Sequence, residues 1–301
     1  MLRIATRASA LARWQAEEVA RRLRATSGLD VELVPLEVTA DRRLDVPISA
    51  MGGQGVFVKE VQAALLDGRA DLAVHSAKDL PSTATPGLTL ASFPLRGDPR
   101  DALVGRALGE MRPGATIATG SVRRRAQLAA ARPDLAFVGL RGNIATRLGK
   151  VPAGGAVVVA LAALQRLGLT QQTAEVLDPG LLLPQVAQAT LAVECRADDE
   201  QTRLAAAAID DPAVRLVTET ERAFLARLGG GCDLPVAAYA RLEGGLEGGT
   251  LVLDGLVATL DGRHLIRDRV SAPAGDGAGM GATLAAALLA AGGEALLADR
   301  P

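Results

Sequence analysis

The sequence predicts an α/β protein: two α/β units in succession, followed by a small α+β domain. Three observations carry this. Short apolar runs alternate with amphipathic stretches of helical period from residue 2 to residue 167. Glycine or proline stands at most of the junctions between them. Beyond Pro235 the pattern changes to alternating strand-like runs closed by one helix.

Leu2 to Thr6 is a short apolar strand. Ser9 can cap a helix through Thr26, with Leu11, Trp14, Val19 and Leu23 on its apolar side. Gly28 ends it, and Val31 to Val38 follows as a strand. A strand-helix-strand run of this length implies a right-handed parallel crossover. Phe57 to Asp67 reads as a helix and Asp71 to Val74 as a strand. Proline and glycine accumulate from Pro81 to Pro99, which reads as a crossover to the second unit. There Ala115–Thr119, Leu135–Leu140 and Ala156–Ala160 read as strands. Ser121–Ala131, Asn143–Leu148 and Leu161–Leu167 read as helices. After Pro184 come an apolar stretch, Gln185–Cys195, a helix through Ile209 and a helix Glu219–Leu228. The tail gives strands Val236–Leu242, Thr250–Thr259 and Leu265–Ser271, a Gly/Ala-rich loop and a helix Gly281–Ala291.

The 301 residues suffice for two or three domains with cores of their own. No apolar run is expected to approach the roughly 20 residues of a membrane span. The N-terminus lacks the build of a signal peptide, so the expected location is the cytoplasm. Cys195 and Cys232 make neither a disulfide framework nor a zinc pattern, and two histidines leave little for a metal site or a Ser-His triad. A net charge of −1 and 2% aromatic content argue against a nucleic-acid binder. Only three of the 33 basic residues are lysines: Lys59, Lys78 and Lys150.

Arginines recur at one topological edge, the carboxyl ends of the strands, where open α/β sheets bind ligands. Arg7 and Ser9 follow the first strand. Thr119-Gly120-Ser121-Val122-Arg123-Arg124-Arg125 sits where a strand meets a helix N-terminus, a place suited to carboxylate or phosphate. Arg141 and Arg147 flank Gly142-Asn143, and Arg166 follows the last strand of the second unit. Several arginines at one edge of a chain with no net positive charge favour a small polyanionic ligand over DNA. Asp79 stands beside Lys78 at a strand end, either as its structural partner or as a group that stabilises positive charge on a substrate. His75 reads as a core histidine. The glycine-rich run Met51–Lys59 lacks the phosphate-loop spacing and reads as a mobile loop over a cleft.

Cys232 lies in Leu228-Gly229-Gly230-Gly231-Cys232-Asp233-Leu234-Pro235, a close-approach turn rather than an apolar run. The preceding helix presents its C-terminal end and Asp233 adds negative charge, so local sequence raises the thiol pKa. Such a thiol suits a single reaction with a strong electrophile better than nucleophilic work in every cycle.

Nine segments taken together resemble porphobilinogen deaminases: RIATRASALARWQ, FVKE, AVHSAKDLP, DPRDALV, SVRRRAQL, LRGNIATRL, LQRLGL, ECR and GGGCDLP. They run in family order from residue 3 to residue 235. The resemblance implies two periplasmic-binding-protein-like α/β domains (residues 1–94 with 190–210, and 98–186) plus a small α+β domain (214–301) bearing the cysteine. It implies a transferase that joins four porphobilinogen molecules head to tail, releasing four ammonia, and cuts the linear hydroxymethylbilane from its primer with water. That primer, a dipyrromethane cofactor, would be bound to Cys232 by a thioether. By position, Lys78, Thr119, Ser121, Arg123, Arg124 and Arg147 would bind the cofactor, and Arg7, Ser9, Lys59, Arg141, Arg166 and Gln188 the substrate. Each pyrrole carries an acetate and a propionate, which calls for arginines. Asp79 would be the catalytic carboxylate, accepting from pyrrole N–H groups and stabilising the cationic azafulvene left when ammonia departs. The resemblance further implies a monomer that hands its product to the next tetrapyrrole enzyme, with no metal, nucleic acid or membrane partner.

The chain departs from the family pattern at Gln54, where lysine is usual, at Ala187 and Ala189, where glycines flank the glutamine, at Gly120, where a hydroxyl residue is usual, and at Asp233, where an uncharged residue is usual. The two alanines are expected to stiffen a hinge-like segment. A solute-binding-type α/β protein for a polycarboxylate ligand is the rival; it predicts reversible binding and no covalent adduct.

Overall fold

A computed structural model describes residues 1–38, 58–230 and 234–298. The glycine-rich run through Gln54 and the segment Gly231–Asp233, with Cys232, lie outside the described residues. The strands, in chain order, are β1 (Leu2–Arg7), β2 (Val31–Leu36), β3 (Leu72–Ser76), β4 (Leu88–Ser92), β5 (Asp101–Gly105), β6 (Thr116–Ala118) and β7 (Ala136–Val138). They continue with β8 (Ala156–Ala160), β9 (Thr173–Val176), β10 (Leu191–Arg196), β11 (Val236–Glu243), β12 (Thr250–Ala258) and β13 (Leu265–Pro273).

These form two five-stranded mixed sheets and one three-stranded antiparallel sheet. The first has order β2-β1-β3-β10-β4, with β1 parallel to β2 and β3, and β10 antiparallel to β3 and β4. The second has order β7-β6-β8-β5-β9, with β6 parallel to β7 and β8, and β5 antiparallel to β8 and β9. The third is the meander β11-β12-β13. The fold is therefore two α/β sheets plus a small C-terminal α+β portion, as the sequence predicts.

The chain gathers into two compact units, Met1–Gly97 with Ala189–Arg215, and Asp98–Gln188 with Leu216–Pro301. In the first, the helix Ala10–Ser27 buries Ala16, Val19, Ala20 and Leu23 against a core that includes Ile4, Leu72, Val74, Leu191 and Val193. Ser9 caps that helix, its Oγ accepting from the Ala12 N–H at 3.3 Å, and Gly28 closes it in the left-handed conformation. In the second unit the larger core is built from Leu103, Ile117, Leu128, Val158, Leu177 and Leu182. A further cluster of Ala126, Leu183, Ala237, Leu256 and Ala258 joins the α/β sheet to the C-terminal sheet.

Four strands escape the sequence pattern: β4, β5, β9 and β10, the last almost wholly inside the apolar stretch Gln185–Cys195. β4 and β9 carry few large apolar residues, and β4 lies in the proline-rich stretch read as a crossover. β5 begins two residues after Pro99. β10 and β5 run antiparallel to their neighbours, which makes the sheets mixed, and β4 and β9, each antiparallel to one of these, run the same way as β3 and β8. The helix expected from Glu219 begins at Pro212, where Asp211 Oδ1 accepts from the Ala213 and Val214 N–H groups at 2.9 and 3.1 Å. Proline at the first helical position fits, because it has no N–H to orphan.

One expectation is corrected. The helical stretch Gly277–Ala298, 22 residues, is long and apolar enough by length and composition to cross a membrane. Its first helix, Gly277–Leu288, buries Met280, Leu284, Ala285 and Leu288 and packs on β12 and β13. A kink with Gly292 at φ 107° separates it from Glu294–Ala298. The run is mostly alanine, leucine and glycine, with Glu294 its only ionisable residue.

Candidate active site

Each α/β sheet places its polar residues at one edge. In the first unit, parallel pairing of β1 with β3 brings both carboxyl ends to the same side, and antiparallel β10 starts there. Arg7 closes β1, and Ser9 follows as the helix cap. Because the Ser9 oxygen accepts in that cap, its O–H hydrogen is not used by the cap bond. Asp79 ends the short 3₁₀ turn Ala77–Asp79 directly after β3, with Lys78 beside it, both half-buried. The turn is tied down from two sides. Ala77 N–H donates to the Thr190 carbonyl at 3.0 Å. The buried Gln15 amide donates to Ser76 Oγ at 2.8 Å. Lys59 opens its helix on an exposed position.

Beneath this edge His75, Glu194 and Gln62 form a buried network. His75 Nε2 donates to Glu194 Oε2 at 3.0 Å, and the Gln62 amide lies 3.0 and 3.1 Å from the two Glu194 oxygens. All three are under 8% exposed, so each polar atom needs its partner. The network links the helix Lys59–Leu66 to the strand that delivers Asp79. His75 is the core histidine that the sequence suggests.

In the second unit β6, β7 and β8 end on one side, and antiparallel β5 starts there with Asp101. Ser121 caps the helix Val122–Ala131, accepting from Arg124 N at 3.3 Å and donating its own N–H to Thr119 Oγ1 at 3.2 Å. Arg123 and Arg124 are not a solvated first turn. They are 3% and 5% exposed and converge on the fully enclosed Asp101. Arg123 Nη2 donates to Oδ2 at 2.6 Å, and Arg124 Nη2 and Nε to Oδ1 at 2.7 and 3.1 Å. Burial alone would raise the Asp101 carboxyl, but Arg123 and Arg124 outweigh it and hold it well below the usual carboxylate range. Two guanidiniums face one carboxylate, leaving one excess positive charge. Arg123 Nε, buried, has no hydrogen-bond partner.

Arg141 follows β7, half-buried. Arg147 is held by its own loop, Nε donating to the Gly142 carbonyl at 2.7 Å. Arg166 ends the helix Leu161–Arg166, where burial pushes its guanidinium down to about 10, so an anion beside it would be strongly favoured. Gln188 is wholly enclosed, its amide donating to the Pro99 carbonyl at 2.7 Å and to Asp101 Oδ1 at 2.9 Å. A Cβ at Gly120 would stand 2.5 Å from the Leu140 carbonyl oxygen, so a side chain there requires the backbone to shift.

Sequence reasoning overlooked Gln15, Gln62, Asp101 and Glu194. Gln15 had a signal, a polar residue on the stripe of Ala12, Ala16 and Val19. Asp101 stands in a quoted motif, but its burial follows only from the insertion of β5 between β8 and β9. Among the described residues no cluster of His, Cys, Asp and Glu could hold a metal ion.

Comparison with known proteins gives one answer. A family profile described as "Porphobilinogen deaminase, dipyromethane cofactor binding domain" matches residues 2–204, and one described as "Porphobilinogen deaminase, C-terminal domain" matches residues 216–290. The chain belongs to the porphobilinogen deaminase family. A curated porphobilinogen deaminase from Roseiflexus castenholzii is 48% identical over 303 residues, covering 99% of this chain and 98% of the relative. Another from Syntrophotalea carbinolica is 46% identical, covering 99% and 95%. A solved periplasmic substrate-binding protein of an ABC transporter from Coxiella burnetii aligns with a TM-score of 0.45 and 15% identity, over 71% of this chain and 94% of that one.

The activity is that of a porphobilinogen deaminase in tetrapyrrole biosynthesis, with a dipyrromethane cofactor. The second unit fits such a group. Its carboxylates would meet an excess positive charge, and the orphaned Arg123 Nε–H is a donor that an anion can satisfy.

Proposed function

We propose that the chain assembles four porphobilinogen molecules head to tail into linear hydroxymethylbilane, on a dipyrromethane primer bound to Cys232 by a thioether. The observation that carries this reading is the convergence of Arg123 and Arg124 on Asp101, at the strand-end edge that also bears Arg141, Arg147 and Arg166. A net charge of −1 makes that local excess a built feature rather than a general basicity. When bound, the cofactor supplies the pyrrole to which the first substrate is joined.

Within this reading Lys78, Thr119, Ser121, Arg123, Arg124 and Arg147 hold the cofactor carboxylates. Arg7, Ser9, Lys59, Arg141 and Arg166 hold those of the substrate. Asp79 accepts from pyrrole N–H groups and stabilises the positive charge that develops as ammonia leaves. Cys195 supports the assignment of Cys232. It is fully enclosed in β10, and burial pushes its thiol up to about 11, which makes it inert. Residues 1–94 with 190–210, 98–186 and 214–301 are the three domains of this reading. The enzyme works in the cytoplasm as a monomer and passes its product to the next enzyme of the pathway.

The intact mass of purified protein tests this. An excess equal to two linked pyrrole units, absent from Cys232→Ser, is expected. An unmodified mass in protein that still makes bilane overturns the thioether assignment.

A further inference from the structure

Gln188 matches a family position assigned to substrate, yet its geometry is that of a support. The side chain is fully enclosed, and its two amide hydrogens go to the Pro99 carbonyl and to Asp101 Oδ1. A ligand could take those donors only by breaking both bonds. The backbone holds the residue in place at some cost. Ala187 and Ala189 have φ of 58° and 69°, the only non-glycine residues with positive φ among those described. Ala187 N–H donates to Glu221 Oε2, and the Ala189 carbonyl accepts from Gly97 N–H at 3.0 Å. Left-handed alanines persist only where the surroundings over-determine them.

Asp101 needs such a support. Its two oxygens are divided: Oδ2 receives Arg123, and Oδ1 receives Arg124 together with Gln188. The guanidiniums are anchored on their far side too, Arg123 Nη1 to the Leu183 carbonyl at 2.6 Å and Arg124 Nη1 to the Val158 carbonyl at 3.0 Å. With those far ends fixed, the Asp101 carboxylate sets the remaining orientation of both arginines. A neutral amide also fixes the carboxylate without adding charge. Glutamate at the same place would cancel the excess positive charge that an anionic ligand requires.

We infer that Gln188 is a positioning residue, which locks Asp101 and through it sets the orientation in which Arg123 and Arg124 meet the dipyrromethane carboxylates. This rests on the proposed role of those arginines. The test measures the fraction of chains that carry the two-pyrrole mass increment, together with kcat and KM of the loaded protein. Gln188→Met keeps the volume and removes the donors. It is expected to lower loading about tenfold, the order given by loss of one hydrogen bond to a charged group. Gln188→Glu carries a pH signature. Its carboxyl would lie beside Asp101, Arg123 and Arg124, with Glu221 bonded to Ala187 nearby. Like charge raises one carboxyl pKa, and the protonated form can donate to Asp101. Loading should therefore be poor at pH 8 and recover toward pH 6, a reversal that general loss of packing would not produce.

Gln188→Met with normal loading and a loss confined to KM for porphobilinogen would overturn the inference in favour of direct contact. So would a wild-type pH profile for Gln188→Glu, which decides the matter if Gln188→Met does not fold. Arg124→Gln separates the two levels. Normal loading in Arg124→Gln sinks the arginine assignment itself. Poor loading there with normal loading in both Gln188 variants sinks only the step through Gln188.

Discussion

Asp101 shows how one side chain changes the meaning of its neighbours. Three basic residues at the start of a helix oppose the dipole. A fully enclosed carboxylate between two of them offsets that cost, so Arg123 and Arg124 can be buried. Removing one member of such a cluster leaves an uncompensated charge. Asp101→Asn is expected to cost about 3–5 kcal/mol, read from the urea midpoint. The folded-state pKa of Asp101 lies below its unfolded value. Its contribution is therefore present above about pH 4, the ordinary aspartate range, and fades as pH falls below that. Unfolding curves at pH 7 and pH 3 should differ less in Asp101→Asn than in the wild type. Asp79 makes the opposite case. It is half-buried on a turn fixed by Ala77 and Ser76, so its side chain is not needed to hold the fold. Asp79→Ala should lose about 10²–10³ in turnover, with little change in stability. Near-normal rates would remove its assigned role. Asp79 and the arginines were legible because they stand at strand ends in recognisable order. Asp101 and Glu194 were not, since a lone carboxylate beside an apolar run says nothing about which arginine or histidine the sheet will bring to it.

At the scale of elements, the helices are legible from their period but their limits and faces less so: the helix expected from Glu219 begins at Pro212, and the first helix buries Ala12 and Ala16 rather than Leu11 and Trp14. Ser9 caps where expected, and Ser121 and Asn143, read only as helix starts, cap as well. Strands β4, β5, β9 and β10 are not legible, because runs of four to six residues are too short to establish a period and their register is set by neighbours far along the chain. Two elements make quantitative predictions. A left-handed alanine costs about 1–2 kcal/mol relative to glycine. Glycine gives back roughly 0.4–1 kcal/mol through the freedom of the unfolded chain. Ala187→Gly and Ala189→Gly should each stabilise the protein by about 0.5–1 kcal/mol, seen as a higher denaturant midpoint. The second element is the pair of helices Pro212–Arg227 and Gly277–Leu288, which touch at Gly281. A Cβ built there meets the Thr220 carbonyl and comes within 3.0 Å of Phe224 N. Gly281→Val should destabilise by about 1–3 kcal/mol, the usual cost of overpacking.

For the whole molecule, the α/β class and the C-terminal α+β portion were legible, whereas the grouping into two compact units was not. The second sheet and the C-terminal sheet share the cluster of Ala126, Leu183, Ala237, Leu256 and Ala258, and alanines at that spacing look like ordinary helix and strand filler. A ligand held only by the native arrangement stabilises it. Protein carrying the cofactor should therefore melt above Cys232→Ser, by roughly 2–4 °C for each kcal/mol of contact. The burial of Cys195 also provides a counting method. With that thiol sealed in β10 and pushed up to about 11, any label that a thiol-specific reagent places on native protein would report the proposed primer site, Cys232. Folded molecules that have not yet received a primer should label once, primed molecules not at all, and a second label should appear only on unfolding the unprimed form. The stoichiometry of labelling would then read primer occupancy directly across a whole preparation, without any assay of turnover.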